Sequence, residues 1–456
     1  MSANPTFAFV TIGSGSYLGS TVRDLTIANV LHRRGYKVVI YWMMEWQREL
    51  ADPGIPQRLL CYGTRYQFRR PSGLLDRPLG SLLFLLPTRW RVRIAQGLSG
   101  YVDRLLGNLM HALHATPDAD RSLASRLRRY LAQDGVSHLM MSFASIGPLA
   151  LAAKRLGGHA FDYLLTFQGD EQFADYARRA GLLGTYRLHM NEAVQGSRWP
   201  AVAVSRDYLQ RIVEELGVPA SRLRVVYNGV EFPARPELPP FPLLKAAFPA
   251  LREDLPIVSY VGRQDTEKGV DLLLYAARLL EQRGVPLQLV ICGSTAKGES
   301  YKKVIADLAE HLGVAIHHTG AVSSELRDAL FARSRCVVYP SVNREAFGLV
   351  VAEAMSLGTP VLVPDYGGVT EVMQEGERRA GLTFRTWDSG DLAWQLERLL
   401  VDDALHRELA GNTRSVAARF TAERMTDRIL EHLGLARGAP GPADDLVPVP
   451  HAEPAV

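Results

Sequence analysis

Cysteine is scarce. Cys61, Cys292 and Cys336 are the only three in 456 residues, which excludes a disulfide framework. Cys292 and Cys336 sit in apolar runs, LVICG and CVVYP, where a buried thiol is the expected role. Long hydrophobic runs are also missing. The longest, Leu79 to Pro87, is too short to span a bilayer. The opening MSANPTFAFVTIG lacks the basic region of a signal peptide and enters a strand at once. The expectation is a cytoplasmic enzyme, with peripheral contact to the inner membrane face left open. The N-terminal half is short of acid. Residues 1–240 hold 29 Lys+Arg against 19 Asp+Glu, a net +10, whereas residues 241–456 hold 23 against 29, a net −6. Eight arginines lie between Arg58 and Arg93, opposed there only by Asp76. No aromatic platform or zinc spacing accompanies them, so an anionic acceptor or membrane surface fits better than nucleic acid. Hydrophobic content of 47% with 22% charged residues is ordinary for a soluble globular chain, and the length suggests two or three domains.

What is present is organised around Tyr339 to Gly368, YPSVNREAFGLVVAEAMSLGTPVLVPDYGG. It reads as a strand end, a loop, an apolar helix from about Phe347 to Leu357, a strand and a Gly-Gly turn. Glu353 is the single charge between Ala346 and Gly358, and a carboxylate in such a helix is costly to bury unless something meets it. Glu345 stands eight residues earlier, ahead of the helix. The unpaired N–H groups around Phe347, Gly348 and Leu349 suit a phosphate, and a carboxylate on either side suits sugar hydroxyls. The competing reading is an ion-paired or solvent-facing Glu353 on a core helix. Upstream, Gly262-Arg263 and Lys268-Gly269 place two cations at a strand end and a helix start, which fits a diphosphate, or else two solvated loop charges. Gly293-Ser294 and Gly320-Ala321-Val322 end the next strands and offer main-chain groups to a nucleotide base. His317 and His318 read as structural or edge residues. Asp118 and Asp120 form a D-x-D in a polar loop, and no metal site is expected.

The N-terminal half opens with a strand, Phe7 to Ile12, then Gly13-Ser14-Gly15-Ser16 and a helix from about Ser20 to Arg34. That succession lets a phosphate or sugar approach the backbone, although it is common in α/β folds. Residues 58–113 alternate Leu-rich and Arg-rich stretches, either a membrane-interface segment or a packed helical insertion. Further strands are Ser137 to Met141, Tyr163 to Phe167, Ala201 to Ser205 and Leu223 to Tyr227. Gln168 and Asp170 follow the second of these, where an acceptor would bind, or where Asp170 caps the next helix. A proline-dense stretch over 231–255 reads as a stiff linker. Six strand patterns alternate with helices over 256–415, which argues for a parallel sheet covered on both faces. A long final helical stretch should break near Phe420, and residues 436–456 read as a disordered tail.

Glu345, Phe347, Gly348, Glu353, Ala354, Gly358, Pro360 and Val361, with Gly367-Gly368-Val369-x-Glu371, resemble the E-x7-E pattern of the retaining glycosyltransferases of family 4. Val261-Gly262-Arg263, Lys268-Gly269 and the turn Asn228-Gly229-Val230 are similar to that family as well. The resemblance is strong from Val225 to Gly368 and weaker before. It implies a GT-B fold, two Rossmann-like domains facing each other across a donor/acceptor cleft. Residues 1–230 would hold the acceptor, 256–415 the nucleotide-sugar, and 416–435 would form a helix returning to the first domain. It implies Arg263, Lys268 and Glu345 as catalytic residues. Gly13, Gly15, Gly262, Gly293, Val322, Phe347, Gly348 and Leu349 would line the donor, and Glu353 would hold the ribose hydroxyls. No cofactor beyond the nucleotide-sugar substrate, and no metal, is expected. The implied reaction moves a sugar to an acceptor hydroxyl with retention, in cell-surface polysaccharide or glycolipid assembly. The alternatives are glycosylation of a soluble small molecule, epimerisation of a sugar nucleotide, or binding without catalysis. Two departures stand out. Ser142 to Ser145 lacks the histidine many members carry, and Gln168 replaces histidine in the family's T-x-H-G segment.

Overall fold

The computed structural model describes residues 5–13, 19–44, 51–61, 121–169, 174–175, 177–178, 181–233, 239–294 and 300–435. The chain divides into two compact units, Met1–Tyr227 with Met425–Val456, and Asn228–Arg424. Most of the Arg-rich region (62–120), Gly15, Asp118, Asp120, Asp170 and the tail lie outside the described residues.

The first unit carries β1 (Thr6–Gly13), α1 (Gly19–Arg33), β2 (Lys37–Met44), β3 (Gln57–Cys61), α2 (Arg121–Asp134), β4 (His138–Met141), α3 (Gly147–Arg155) and β5 (Asp162–Phe167). It continues with α4 (Leu183–Gly196), β6 (Ala201–Ala203), α5 (Arg206–Leu216) and β7 (Leu223–Val225). Among the described residues the strands form one seven-stranded sheet, ordered β3-β2-β1-β4-β5-β6-β7, and every pairing is parallel. A parallel sheet is covered on both faces, so β1 shows a continuous buried run, Phe7 to Gly13, with no alternation. Phe7, Phe9, Trp42, Leu164 and Val202 share one core with Met425, Ile429 and Leu430, so the last helix buries its apolar stripe in this unit.

The second unit begins with α6 (Phe241–Ala247), which corrects part of the expected linker. Leu244 and Leu251 are fully buried there, and Arg333 Nε donates to Pro239 O at 2.7 Å. Proline at the start of a helix costs no hydrogen bond, so Pro240 and Pro242 frame this helix instead of forbidding it. Then come β8 (Ile257–Val261), α7 (Val270–Gln282), β9 (Gln288–Cys292), α8 (Ser300–Leu312), β10 (Ile316–His318), α9 (Ser324–Arg333), β11 (Cys336–Val338), α10 (Leu349–Ser356) and β12 (Val361–Pro364). After α11 (Val369–Val372) and the two-stranded β13 (Gln374–Glu375) and β14 (Arg378–Arg379) follow β15 (Gly381–Phe384), α12 (Ser389–Val401) and α13 (Asp403–Ala417); the last helix, α14 (Ala422–His432), belongs to the first unit from Met425 on. The main sheet here is also parallel, ordered β10-β9-β8-β11-β12-β15. Its strand order reverses between β8 and β11, and in open α/β sheets ligands bind outside the strand carboxyl ends at that point. The expected break of the final helical stretch occurs at a short turn, Ala418–Phe420.

Candidate functional site

The loops leaving β8 and β11 meet at the reversal point of the second sheet. Gly269 lies at φ +61, and a Cβ there would stand 2.1 Å from Pro340 O, so only glycine allows the two loops this approach. Val342 N and Ser341 Oγ both donate to Glu267 O, at 3.0 and 3.1 Å. This stitching delivers Lys268 to Glu345. The ammonium is ion-paired with Glu345 Oε1, and the two side chains are only 12% and 18% exposed. Ser341 Oγ donates to the same carboxylate oxygen at 2.9 Å, and Lys268 Nζ also reaches Tyr339 Oη at 3.3 Å. Burial alone would raise the Glu345 carboxyl, but Lys268 and the neighbouring hydroxyls outweigh it and hold it below the usual carboxylate range. Burial likewise opposes the charge on Lys268, and the attraction of Glu345 reverses that and raises the ammonium above its ordinary value. Behind Glu345, Gly367 at φ +88 packs against its backbone, and Gly368 N donates to Glu345 O at 2.8 Å.

Arg263 is brought to the same place. Its charge is close enough to count against that of Lys268. Its Nη1 stands 2.8 Å from Asp265 Oδ2, a close ion pair without an aligned hydrogen bond, since that oxygen accepts none. Asp265 Oδ1 instead accepts from Glu267 N at 3.1 Å and caps the short turn Thr266–Lys268. Arg263 Nη2 also lies 4.0 Å from Glu267 Oε2, so its charge is shared loosely between two carboxylates.

The apolar helix starts at Leu349, two residues later than expected. Gly348, at φ +85, occupies the cap position and offers no side chain to the first turn. The N–H groups of that turn have no capping side chain and suit an anion. Phe347 is buried edge-on against Phe420, with ring centroids 5.4 Å apart, so its side chain supports the core and leaves its backbone at the helix entrance. Glu353 lies just over one turn into the helix, 18% exposed, and pairs with Arg327 Nη1 at 3.2 Å. Burial raises its carboxyl, and Arg327 offsets part of that. This is the ion pair that the competing reading of Glu353 anticipated.

Gly262 and Gly293 lie side by side at the ends of β8 and β9. Gly293 has φ +142, and a Cβ there would stand 1.7 Å from Gly262 O. Val322 is half-exposed in the loop after β10, and His318 belongs to that edge strand and reaches Gln264 Oε1 at 2.5 Å. In the first unit, Gly13 ends β1 and Gln168 follows β5. Gln168 Oε1 is sheltered from solvent and has no hydrogen-bond partner among the described residues. The structure therefore gathers Arg263, Lys268, Glu345, Gly348 and Leu349 in one unit.

Sequence reasoning missed Tyr339 and Ser341, whose signal was their position directly after a buried strand. It also missed Arg327 and Asp265, and in the first unit the buried neighbours Arg23 and Asp24 on α1. Asp24 accepts from Ser142 N at 3.1 Å, at the reversal point of that sheet. Burial pushes its carboxyl up to about 7 against the pull of Ser142, Thr11 and Arg23.

Two parallel-sheet α/β units are the pattern of the GT-B fold, and comparison with known proteins agrees. Residues 245–416, within the second unit, match the family model described as glycosyl transferases group 1. A D-inositol 3-phosphate glycosyltransferase of Nocardioides sp. is 31% identical over 242 residues, covering 50% of this chain and 52% of the relative. The alpha-D-kanosaminyltransferase of Streptomyces kanamyceticus is 32% identical over 178 residues, covering 39% and 45%. The chain thus spans about half the length of the curated relatives it matches. Over nearly the whole chain the fold is similar to that of Anabaena HepE, solved in complex with UDP and glucose (TM-score 0.68, 16% identity, 94% of this chain and 100% of that one). Sucrose-phosphate synthase from Thermosynechococcus elongatus gives a TM-score of 0.67 at 18% identity, covering 94% and 98%. The architecture is GT-B, two parallel-sheet α/β units. Among the described residues no helix is long and apolar enough to cross a membrane.

Proposed function

We propose that this protein transfers a sugar from a nucleotide-sugar donor to an acceptor hydroxyl with retention of anomeric configuration. The observation that carries the reading is the buried Lys268–Glu345 pair beside Arg263 at the reversal point of the second sheet. Arg263, Lys268 and the uncapped first turn of the helix at Leu349 neutralise the donor diphosphate. As the anomeric C–O bond breaks, negative charge gathers on that diphosphate, and preorganised cations favour this state over the ground state. The acceptor oxygen forms the new C–O bond on the face the diphosphate leaves, and its proton passes to a diphosphate oxygen. Glu345 orients Lys268 and accepts a sugar hydroxyl, and Glu353 accepts the ribose hydroxyls. Because two cations and a helix terminus already supply the charge, turnover should not need an added divalent cation.

Gln168 and Asp170 contact the acceptor in this reading. The arginines between Arg58 and Arg93 favour a lipid-linked or otherwise anionic acceptor, with the protein held at the inner membrane face in cell-surface polysaccharide or glycolipid assembly. The likeness to the D-inositol 3-phosphate glycosyltransferase of Nocardioides sp. favours a second reading, a soluble small-molecule acceptor. The deciding experiment is a mass-spectrometric screen of nucleotide sugars against the purified protein. UDP-sugars come first, since HepE was solved with UDP and glucose. Product anomers would be assigned by NMR before and after EDTA treatment. An inverted product would overturn retention, a strict metal requirement would overturn the metal-free reading, and no binding of any nucleotide sugar would overturn the whole proposal.

A further inference from the structure

Gln264 follows Arg263 and is 1% exposed; Asp265 beside it is also buried, while Thr266 and Glu267 reach solvent. Its side-chain amide is fully used. Nε2 donates to Gly293 O and to Thr319 O, each at 2.9 Å, and Oε1 lies 2.5 Å from His318 Nε2. The amide can take only this orientation, because flipping it would set Oε1 against two carbonyl oxygens. His318 Nε2 therefore carries a proton and donates it, whatever the charge of the ring. The Gln264 main chain adds a fourth tie, its N–H donating to Ser294 O at 2.9 Å. One buried residue thus clamps the carboxyl ends of three adjacent strands, β8, β9 and β10.

The clamped layer is rigid for independent reasons. Gly262 N donates to Cys292 O at 3.0 Å and Gly293 N donates to Gly320 O at 2.9 Å. Beyond it, Ala321 and Val322 form a loop whose main-chain N–H groups have no partner among the described residues. Such groups can tell nucleobases apart only if they stay fixed within a fraction of an ångström. We infer that Gln264, held by His318, sets the nucleobase selectivity of the donor site by fixing the strand ends that carry the base-reading main-chain groups. Gln264 is a positioning residue in this scheme and touches no substrate. The inference rests on the donor-site reading above and adds to it the residue that selects the base.

The test is calorimetric binding of UDP, ADP and GDP to the full chain and to Gln264→Leu, His318→Phe and Lys268→Met. Leucine is close in volume but leaves the Gly293 and Thr319 carbonyls without a donor. His318→Phe removes the proton that fixes the amide while keeping a ring on the edge strand, and should fold even if Gln264→Leu does not. The ratio of strongest to weakest affinity among the three nucleotides should shrink about tenfold in Gln264→Leu and about threefold in His318→Phe, on the scale of losing one or two hydrogen bonds. In Lys268→Met all three affinities should fall together with their ratio kept, because that residue meets the shared diphosphate. A purely structural Gln264 would lower all three alike. A ratio unchanged within about twofold in whichever of the two variants folds would overturn the inference and leave the donor site standing. Failure of the unaltered protein to bind any of the three would overturn the donor-site reading and the inference with it.

Discussion

The Lys268–Glu345 pair is the sharpest place to perturb the protein, because each group is held charged by the other in a site that burial would otherwise neutralise. Removing one partner from a buried pair costs about 3–5 kcal/mol, and the residual exposure of 12% and 18% moves the expectation down to about 2–4. Glu345→Gln should sit at the low end, since its amide oxygen still accepts from Lys268. Lys268→Met strands a carboxylate that keeps Ser341 as a donor, and should cost about 3 kcal/mol. The double variant leaves no uncompensated charge and should cost no more than the worse single one. That implies a coupling energy of about 2–3 kcal/mol. The assay is urea unfolding by circular dichroism, with calorimetry to separate the transitions of the two units.

The same cycle has a pH signature. Glu345 sits below its ordinary 4.5 in the folded state, so its contribution is present above that value and lost as pH falls through the folded pKa. Lys268 sits above its ordinary 10.5, so its contribution is present below that value and lost as pH rises through the folded pKa. The coupling should therefore be level between roughly pH 6 and 9 and fade towards acid. A coupling below about 0.5 kcal/mol at pH 7, or one that grows as pH drops, would refute the reasoning. UDP affinity adds a separate check. It should fall by about 1.5–3 kcal/mol in Lys268→Met and by much less in Glu345→Gln, which keeps the ammonium charged and in place.

Glu353→Ala should weaken donor binding by about 1.5–3 kcal/mol, and a folded variant that binds as before would leave Glu353 as no more than the partner of Arg327. Asp24 is a buried acid with a raised pKa, so it destabilises the fold increasingly as pH rises from about 4 to about 7. Asp24→Asn should match the unaltered protein near pH 4 and exceed its stability by about 2–4 kcal/mol at pH 8, and a difference that ignores pH would contradict this. For the arginine-rich region, co-sedimentation with anionic vesicles should fall at high salt and when Arg89, Arg91 and Arg93 are changed together to Ser. Binding indifferent to lipid charge, salt and the triple change would remove the membrane proposal.

The second unit was the more legible half, and the reason is physical. Strands β8, β9 and β10 run out at Gly262, Gly293 and Gly320, and at Gly269 and Gly293 the chain passes so close to itself that no other residue fits. Glycines forced by such contacts announce strand ends, and strand ends locate the site. Partners were not legible. Arg327 meets Glu353 from a neighbouring helix 26 positions away, and Gln264 meets Thr319 across 55. No local pattern encodes those meetings. Proline misled over Phe241–Ala247, because its cost inside a helix vanishes in the first turn.

The distinction bears on Glu353 directly. Its isolation in an apolar helix pointed to a ligand, while the structure supplies a protein partner at 3.2 Å. The two are compatible if Arg327 keeps the carboxylate charged until hydroxyls arrive, because a carboxylate with several acceptor positions can hold both. They part company in Arg327→Leu. If Arg327 serves to keep Glu353 ready, that change should weaken donor binding in the same sense as Glu353→Ala, and the double variant should bind no worse than Glu353→Ala alone. If the pair is structural only, both changes should lower stability and leave the affinity of the folded fraction where it was.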